Sequence, residues 1–272
     1  MQYCQFTTRG IVLALTLSAS CGQSFAQRDK PDSGQPASAH SKDKPALSLD
    51  ERVARLRKLQ VTVFLQRKTV IEVRANRTRI TNNDLQWLSQ FTSMTDLSLE
   101  DTRITAAGLK HLRMLHKLEW LNLYRCRIGD EGLKHLARLK SLQHLPVGET
   151  GISDSGLAHL RDLRQLLYLG LRGNKITDKG LPHLSRLVRL QGLYLGETQI
   201  RDKGLRHLTG LTQLRQLWLN DTAVSDASIG LLTKFTKLRE LHITGTQITP
   251  QGLARLQSGL PNCKIVSKVE PD

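Results

Sequence analysis

Aromatic side chains are scarce in this chain, 4% of 272 residues, so any core it builds must be aliphatic, and an aromatic that does occur needs a reason for its place. Cysteine occurs four times, which in an exported chain would suggest a disulfide, yet Cys4 and Cys21 fall in the first 26 residues. Acidic residues are outnumbered 24 to 40 by Lys and Arg, which leaves a formal charge of +16. No apolar run approaches the roughly 20 residues needed to cross a bilayer, so the chain does not read as transmembrane. Also missing are Gly-x-Ser-x-Gly, His-Glu-x-x-His, a phosphate-gripping glycine loop and paired-cysteine zinc spacing. With no nucleophile, acid or metal set in a recognisable frame, the chain reads as non-enzymatic and as needing no cofactor.

The two ends differ from the middle. Residues 1–26 carry one charge, Arg9, then the apolar run from Ile11 to Leu17 and small residues, the pattern of a secretory signal peptide with cleavage after Ala26. An alternative is a lipid anchor at Cys21, although Ser18 stands where a lipobox prefers an aliphatic residue. Either way the chain reads as exported, to a periplasm, a cell surface or the medium. Residues 27–48 are mostly Pro, Ser, Ala, Lys and Asp with almost nothing apolar, too polar to offset the entropy of ordering, and read as a disordered linker. Export leaves Cys126 and Cys263, which the repeat spacing places on the order of 25 Å apart, beyond the reach of a disulfide.

What is present in abundance is a period. From Val70 an apolar skeleton returns every 24 residues in eight registered copies without insertion. Numbering each copy from Val70, Met94, Leu118, Leu142, Leu166, Leu190, Leu214 or Leu238, positions 1, 4, 6, 11, 16, 19 and 22 are apolar in 55 of 56 cases, Gly259 being the exception. Positions 4 and 6 alternate like a strand, and 16, 19 and 22 follow helical spacing, so the unit is strand, turn, short helix. Ser153, Thr177, Ser225 and Thr249 stand where a helix N-cap is needed, and Asp154, Asp178 and Asp226 follow in the first turn. Glycine recurs two residues later, as at Gly156, Gly180 and Gly204, where the turn is expected to leave no room for a side chain. Such a unit cannot bury its own apolar face and must stack on its neighbours as a solenoid. Residues 49–69 read as an N-terminal cap, 70–261 as the repeat domain and 262–272 as a C-terminal cap and tail, with Lys264–Val266 as a last strand.

The unit running from Leu166 through Asn174, Ile176-Thr177-Asp178, Gly180-Leu181 and His183-Leu184 to Leu187 resembles the 24-residue leucine-rich repeat of exported bacterial proteins. That resemblance implies an α/β solenoid, a horseshoe with a parallel concave sheet and short convex helices in about eight repeats, and a role in binding rather than catalysis. It departs from the commoner leucine-rich pattern at one column, where Thr or Cys126 replaces an asparagine ladder and only Asn174 keeps it.

Because positions 4 and 6 point inward, side chains at 3, 5 and 7 must face the concave side. Six Trp or Tyr residues follow the signal segment, and five stand there: Trp120 and Tyr168 at 3, Tyr194 and Trp218 at 5, Tyr124 at 7. His144 and His242 join them, and Trp87 does not. These seven residues are the expected partner-binding set, Trp and Tyr giving large contact area for little lost freedom. The bland alternative is that rings merely cover neighbouring pleats. His111, His135, His159, His183 and His207 share one helical position and are the only metal candidates; packing between helices accounts for them as well, and no metal is expected. The surplus positive charge falls on helices and cap rather than strands, as a solvated exterior or a face for an anionic envelope surface. Specific nucleic-acid binding is not expected. The leading function is a protein-binding scaffold using the concave face. The alternatives are a glycan or cell-wall polysaccharide-binding module, whose sugars would stack on the rings, and a passive envelope structural protein.

Overall fold

The computed structural model describes residues 47–267. The signal peptide expected over 1–26, the linker up to residue 46 and the end of the tail, 268–272, lie outside the described residues. Ser48, placed by its composition at the end of the linker, instead starts the first helix, α1 (Leu49–Lys58). Its hydroxyl accepts from the Glu51 amide at 3.2 Å, and Glu51 Oε2 accepts from the Ser48 amide at 2.8 Å, which satisfies two N–H groups that the helix start would leave open. Val53 and Leu56 of α1 are buried and close the first coil.

Ten strands form one sheet in chain order: β1 (Thr62–Gln66), β2 (Thr69–Arg74), β3 (Asp96–Ser98), β4 (Trp120–Asn122), β5 (His144–Pro146), β6 (Tyr168–Gly170), β7 (Gly192–Tyr194), β8 (Gln216–Trp218), β9 (Glu240–His242) and β10 (Lys264–Val266). β1 and β2 make an antiparallel hairpin at the N-terminal end of the sheet. Every later pair is parallel with partners 24 residues apart, from Glu72 with Asp96 to Glu240 with Lys264. The sequence period is therefore the sheet register. The return path is short, four residues of α-helix at Ala106–Leu109 and eight at Gly129–Leu136. All 55 apolar skeleton residues are buried, most of them completely, in one continuous core.

Two side-chain ladders run along the coils, the first mainly closing turns and the second tying each coil to the next. In the column that departs from an asparagine ladder, each Thr hydroxyl donates back to the carbonyl three residues earlier, as Thr150 to Val147 at 2.7 Å and Thr198 to Leu195 at 2.6 Å. Asn174 reaches two carbonyls, Leu171 at 3.0 Å and Val147 at 2.7 Å, and Cys126 Sγ donates to Leu99 at 3.0 Å. Threonine thus closes its own turn, where asparagine and cysteine tie a turn to the preceding coil. Cys126 is fully buried, and burial pushes its thiol up, away from reactivity.

The second ladder revises the reading of the first-turn acids. Their carboxylates do not merely face a helix dipole; each crosses to the next coil and accepts from its cap residue. Asp154 takes the Thr177 amide at 2.8 Å and its hydroxyl at 2.6 Å, and Asp226 takes those of Thr249 at 2.9 and 2.6 Å. Burial works to raise the Asp202 carboxyl, but hydrogen bonds from the Ser225 amide and the Ser228 and Ser225 hydroxyls outweigh it and hold it below the usual range.

The glycine column follows from the same ladder. A Cβ on Gly204 would strike Asp178 Oδ1 and come within 2.9 Å of Leu181 Cδ1 and 3.1 Å of Asp178 Cα. Where serine replaces glycine, at Ser228, its hydroxyl bonds the same carboxylate of the preceding coil, Asp202. Gly204→Ala should therefore cost about 1–3 kcal/mol, read as a lower Tm. Gly210→Ala, with nothing within 4 Å of the added carbon, should leave Tm unchanged or slightly raised. Equal Tm values for the two variants would refute the ladder's role.

Candidate partner-binding face

Each short strand from β3 to β9 turns its central leucine into the core and its outer two residues to the concave side, so the period lines outward residues up in rows. Trp120, His144 and Tyr168 are successive partners in one row. Tyr194, Trp218 and His242 are successive partners in the neighbouring row. His144 and Tyr168 stack with centroids 4.9 Å apart and planes within 10°. Tyr194 and Trp218 lie 4.5 Å apart, and Trp218 and His242 4.6 Å, both tilted by 42°.

The two ring blocks meet over a glycine. Tyr168 pairs with Gly192 in the first row, and Gly170 pairs with Tyr194 in the second. A Cβ on Gly192 would strike the Tyr168 ring, with Cε1 at 2.9 Å, and would lie 3.1 Å from the Tyr194 hydroxyl. The Tyr168 ring therefore covers Gly192, with the Tyr194 hydroxyl beside the same glycine, so the two blocks adjoin where the surface steps from one row to the other. Glycine at an outward strand position is the complement of a large ring on the next strand. Sequence reasoning found the rings and missed the glycines; the available signal was that outward-facing glycines at 170 and 192 fall on strands next to outward-facing tyrosines.

Polar bonds fix the second block. The Tyr194 hydroxyl donates to Gln216 Oε1 at 2.8 Å, Gln216 Nε2 donates to Glu240 Oε2 at 3.0 Å, and His242 Nε2 lies 2.8 Å from Glu240 Oε1. This corrects one expected contact residue. His242 is buried, 4% exposed, beneath Trp218 and beside the cap strand β10, so it supports the ring above it and offers little to a partner. Trp120, Tyr124, His144, Tyr168, Tyr194 and Trp218 are all half-buried, with part of each ring open.

Tyr124 stands apart from the stack. It covers Gly148, its hydroxyl donates to Glu149, and the Arg125 guanidinium lies 5.2 Å from its ring centre. Burial, followed by the hydrogen bond and charge of Glu149, pushes its phenol up to about 12, so it stays a neutral donor. It belongs to a row of charges at the strand ends that the sequence did not reveal. Position 8 has positive φ in every coil: Arg77, Asp101, Arg125, Glu149, Glu197 and Asp221 adopt it, as do Gly173 and Gly245. A non-glycine residue held there costs on the order of 1 kcal/mol. Here the turn recurs so regularly that the coil stacking imposes it. Pairs such as Arg125 with Glu149 at 2.9 Å and Arg77 with Asp101 at 3.6 Å follow. Glycine in two members of an otherwise charged column was the legible trace of this conformation.

A family model described as a leucine-rich repeat region matches residues 72–266, most of the chain. The chain belongs to the leucine-rich repeat family. Among solved structures, this leucine-rich repeat protein is similar to internalin C2 of Listeria monocytogenes, at 28% identity and a TM-score of 0.57 over 73% of this chain and 81% of that one. It is similar to the Arabidopsis receptor kinase HAESA ectodomain in complex with an N-terminally extended IDA peptide hormone, at 19% identity and a TM-score of 0.62, covering 81% of this chain and 41% of that one. It is also similar to the Arabidopsis GASSHO1/SCHENGEN3 ectodomain in complex with CASPARIAN STRIP INTEGRITY FACTOR 2, at 17% identity and a TM-score of 0.53, covering 75% of this chain and 25% of that one. The chain spans less than half of either plant ectodomain, and at those identities the likeness is one of fold. No curated protein matches the sequence significantly.

The leucine-rich repeat fold is generally used as a binding scaffold. Among the described residues no group of three or more His, Cys, Asp or Glu side chains is placed to hold a metal ion. In the helical histidine column His111, His135, His159 and His183 are half-buried and His207 is exposed; burial, then the charge of Lys110, holds His111 below the usual imidazole value. Cys126 and Cys263 are both free. No described helix is long and apolar enough to cross a membrane. Two shallow grooves, of about 470 Å³ between α1 and Leu65 and about 440 Å³ beside Ile229 and Ala254, lie away from the ring surface.

Burial also holds His144 below the usual imidazole value, so the ring that stacks on Tyr168 is neutral at pH 7. The folded pKa is depressed, so the stack's stability is fully present above the unfolded value of about 6.5 and is lost as pH falls from there through the folded value. The Tm of the wild type should drop over that window more steeply than that of His144→Phe. Parallel Tm curves would show that His144 carries no such linkage.

Proposed function

We propose that this protein is an exported, non-enzymatic scaffold that holds a polypeptide partner on its concave face. Trp120, Tyr168, Tyr194 and Trp218 are the anchors, with His144 stacked against Tyr168 from the neighbouring strand and Tyr124 at the charged margin. The observation that carries this reading is the gathering of partly buried rings on adjacent strands from β4 to β8, packed over glycines and held by neighbouring rings and hydrogen bonds. A core of aliphatic residues has no need of it, whereas rings already fixed in place lose little further freedom on binding. The HAESA ectodomain, of the same fold, is seen with a peptide ligand, which supports a peptide or protein as the partner here. Export rests on the pattern of residues 1–26. Mass spectrometry of the exported protein should place its first residue at Gln27; an acylated Cys21 would contradict cleavage after Ala26.

The test is affinity capture from the native cell envelope with the full-length protein, run beside a glycan array. A captured polypeptide that rebinds in purified form, with no glycan bound, is the expected result. Glycan binding that depends on the same rings, with no polypeptide rebinding, would contradict the proposal and favour the polysaccharide reading.

A further inference from the structure

The positive surplus is not spread over the helical exterior; it is concentrated on one edge of the solenoid. Six return segments, residues 113–119, 137–143, 161–167, 185–191, 209–215 and 233–239, carry the chain from each helix to the next strand. They contain twelve Lys or Arg residues against two acids, Glu119 and Asp162, and all fourteen are exposed. The six outgoing segments on the opposite edge, 99–105, 123–129, 147–153, 171–177, 195–201 and 219–225, contain six basic and five acidic residues. Most of the cations that position in the repeat assigned to helices, such as Arg138, Lys140, Arg186 and Arg189, stand instead in return segments.

The two edges also differ in how charge is used. On the outgoing edge, Arg77, Arg125 and Arg172 pair with carboxylates of the next coil. On the return edge the one ion pair among the described residues is Arg161 with Asp162, at 3.6 Å. Arg189 and Lys237 bond the neutral amides of Gln165 and Gln213, the latter at 2.8 Å, which orders the cations in successive coils without neutralising them. Neighbouring coils are roughly 5 Å apart, within the Debye length of about 8 Å, so these charges reinforce one another.

The edge is continuous with the ring surface. The return segments end where Trp120, His144 and Tyr168 begin their strands. Burial raises the Tyr168 phenol and the charge of Arg215 opposes it, which places that cation in electrostatic range of the ring. A flat membrane would touch the edge alone, whereas a chain can lie along the edge and turn into the concavity.

We infer that the return edge, from Arg113 to Arg239, is a docking surface for an acidic polypeptide segment of the same partner whose apolar side chains sit on the rings. This inference rests on the concave-face reading for the class of partner and on the charge partition for its sign.

The test measures binding of a fluorescent polyglutamate peptide to the full-length protein and to two variants of equal net charge. One carries Arg186→Glu, Arg189→Glu, Arg215→Glu and Arg239→Glu on the return edge. The other carries Arg103→Glu, Arg127→Glu, Lys175→Glu and Arg201→Glu on the outgoing edge. All eight side chains are exposed and none takes an ion pair among the described residues, so both variants should retain the wild-type circular dichroism. The first should weaken binding by at least about tenfold and the second by less than about threefold. Equal weakening would reduce the effect to bulk charge and overturn the inference. So would position-dependent binding that is tighter to heparin, or to phosphatidylcholine vesicles containing phosphatidylglycerol, than to polyglutamate. A Trp120→Ala, Trp218→Ala variant separates the two readings: if the purified partner still binds it fully while the return-edge variant fails, the edge stands and the ring surface does not.

Discussion

Replacing Leu169 with Ala is expected to cost about 2–5 kcal/mol and to lower Tm by roughly 5–15 °C. Leu169 is the central residue of β6, fully buried, and its partners Leu145 and Leu193 occupy the same column in the coils on either side. A solenoid has contacts only between neighbours, so a cavity there weakens two coil interfaces at once and nothing distant compensates. The surrounding leucines are held by their own coils and cannot collapse into the space. Leu253→Ala, at the C-terminal end where the native side chain is already 8% exposed, should cost clearly less. Thermal unfolding of both variants checks this, and a larger loss at Leu253 would contradict the stacked-coil account of stability.

The second large effect concerns binding. Trp120→Ala combined with Trp218→Ala should weaken the captured polypeptide by about a hundredfold or more, since aromatic anchors of this type each contribute on the order of 2 kcal/mol. The two residues belong to different rows and different ring blocks, so their removal opens the surface at both ends while leaving Tyr168 and Tyr194 over Gly192. Both are half-buried and outside the aliphatic core, so circular dichroism should be preserved. Trp87→Ala is the control: Trp87 sits on a helix, where Arg55 of α1 lies 4.9 Å from its ring, and its loss should affect Tm rather than affinity. Unchanged affinity in the double variant would remove the ring surface as the binding site.

The architecture was legible because a period of 24 constrains fold and register together: the same seven columns that repeat as apolar letters are the buried residues, and the repeat length is the strand offset. The antiparallel direction of β1 in the N-terminal segment was not legible. What one coil's sequence could not express was interaction between coils. Asp154 looks like a first-turn acid until the next coil supplies the Thr177 amide, and Gly180 looks like a turn glycine until Asp154 Oδ1 fills the space where its Cβ would be, 2.5 Å away. His242 has an outward strand position like Trp218, yet it is covered because the cap strand ends the row and Glu240 draws its ring down. The left-handed turn at position 8 was hidden because charged residues occupy it in six of eight coils. Counting charges by strand and helix concealed the basic edge, since its cations lie in neither.

Hydroxyl-radical footprinting of the free and partner-bound protein tests the central claim most directly. The account predicts protection at Trp120, Tyr168, Tyr194 and Trp218 on complex formation, with Trp87 labelled equally in both states. Undiminished labelling of those four rings in a saturated complex, with protection confined to the helical side, would contradict it.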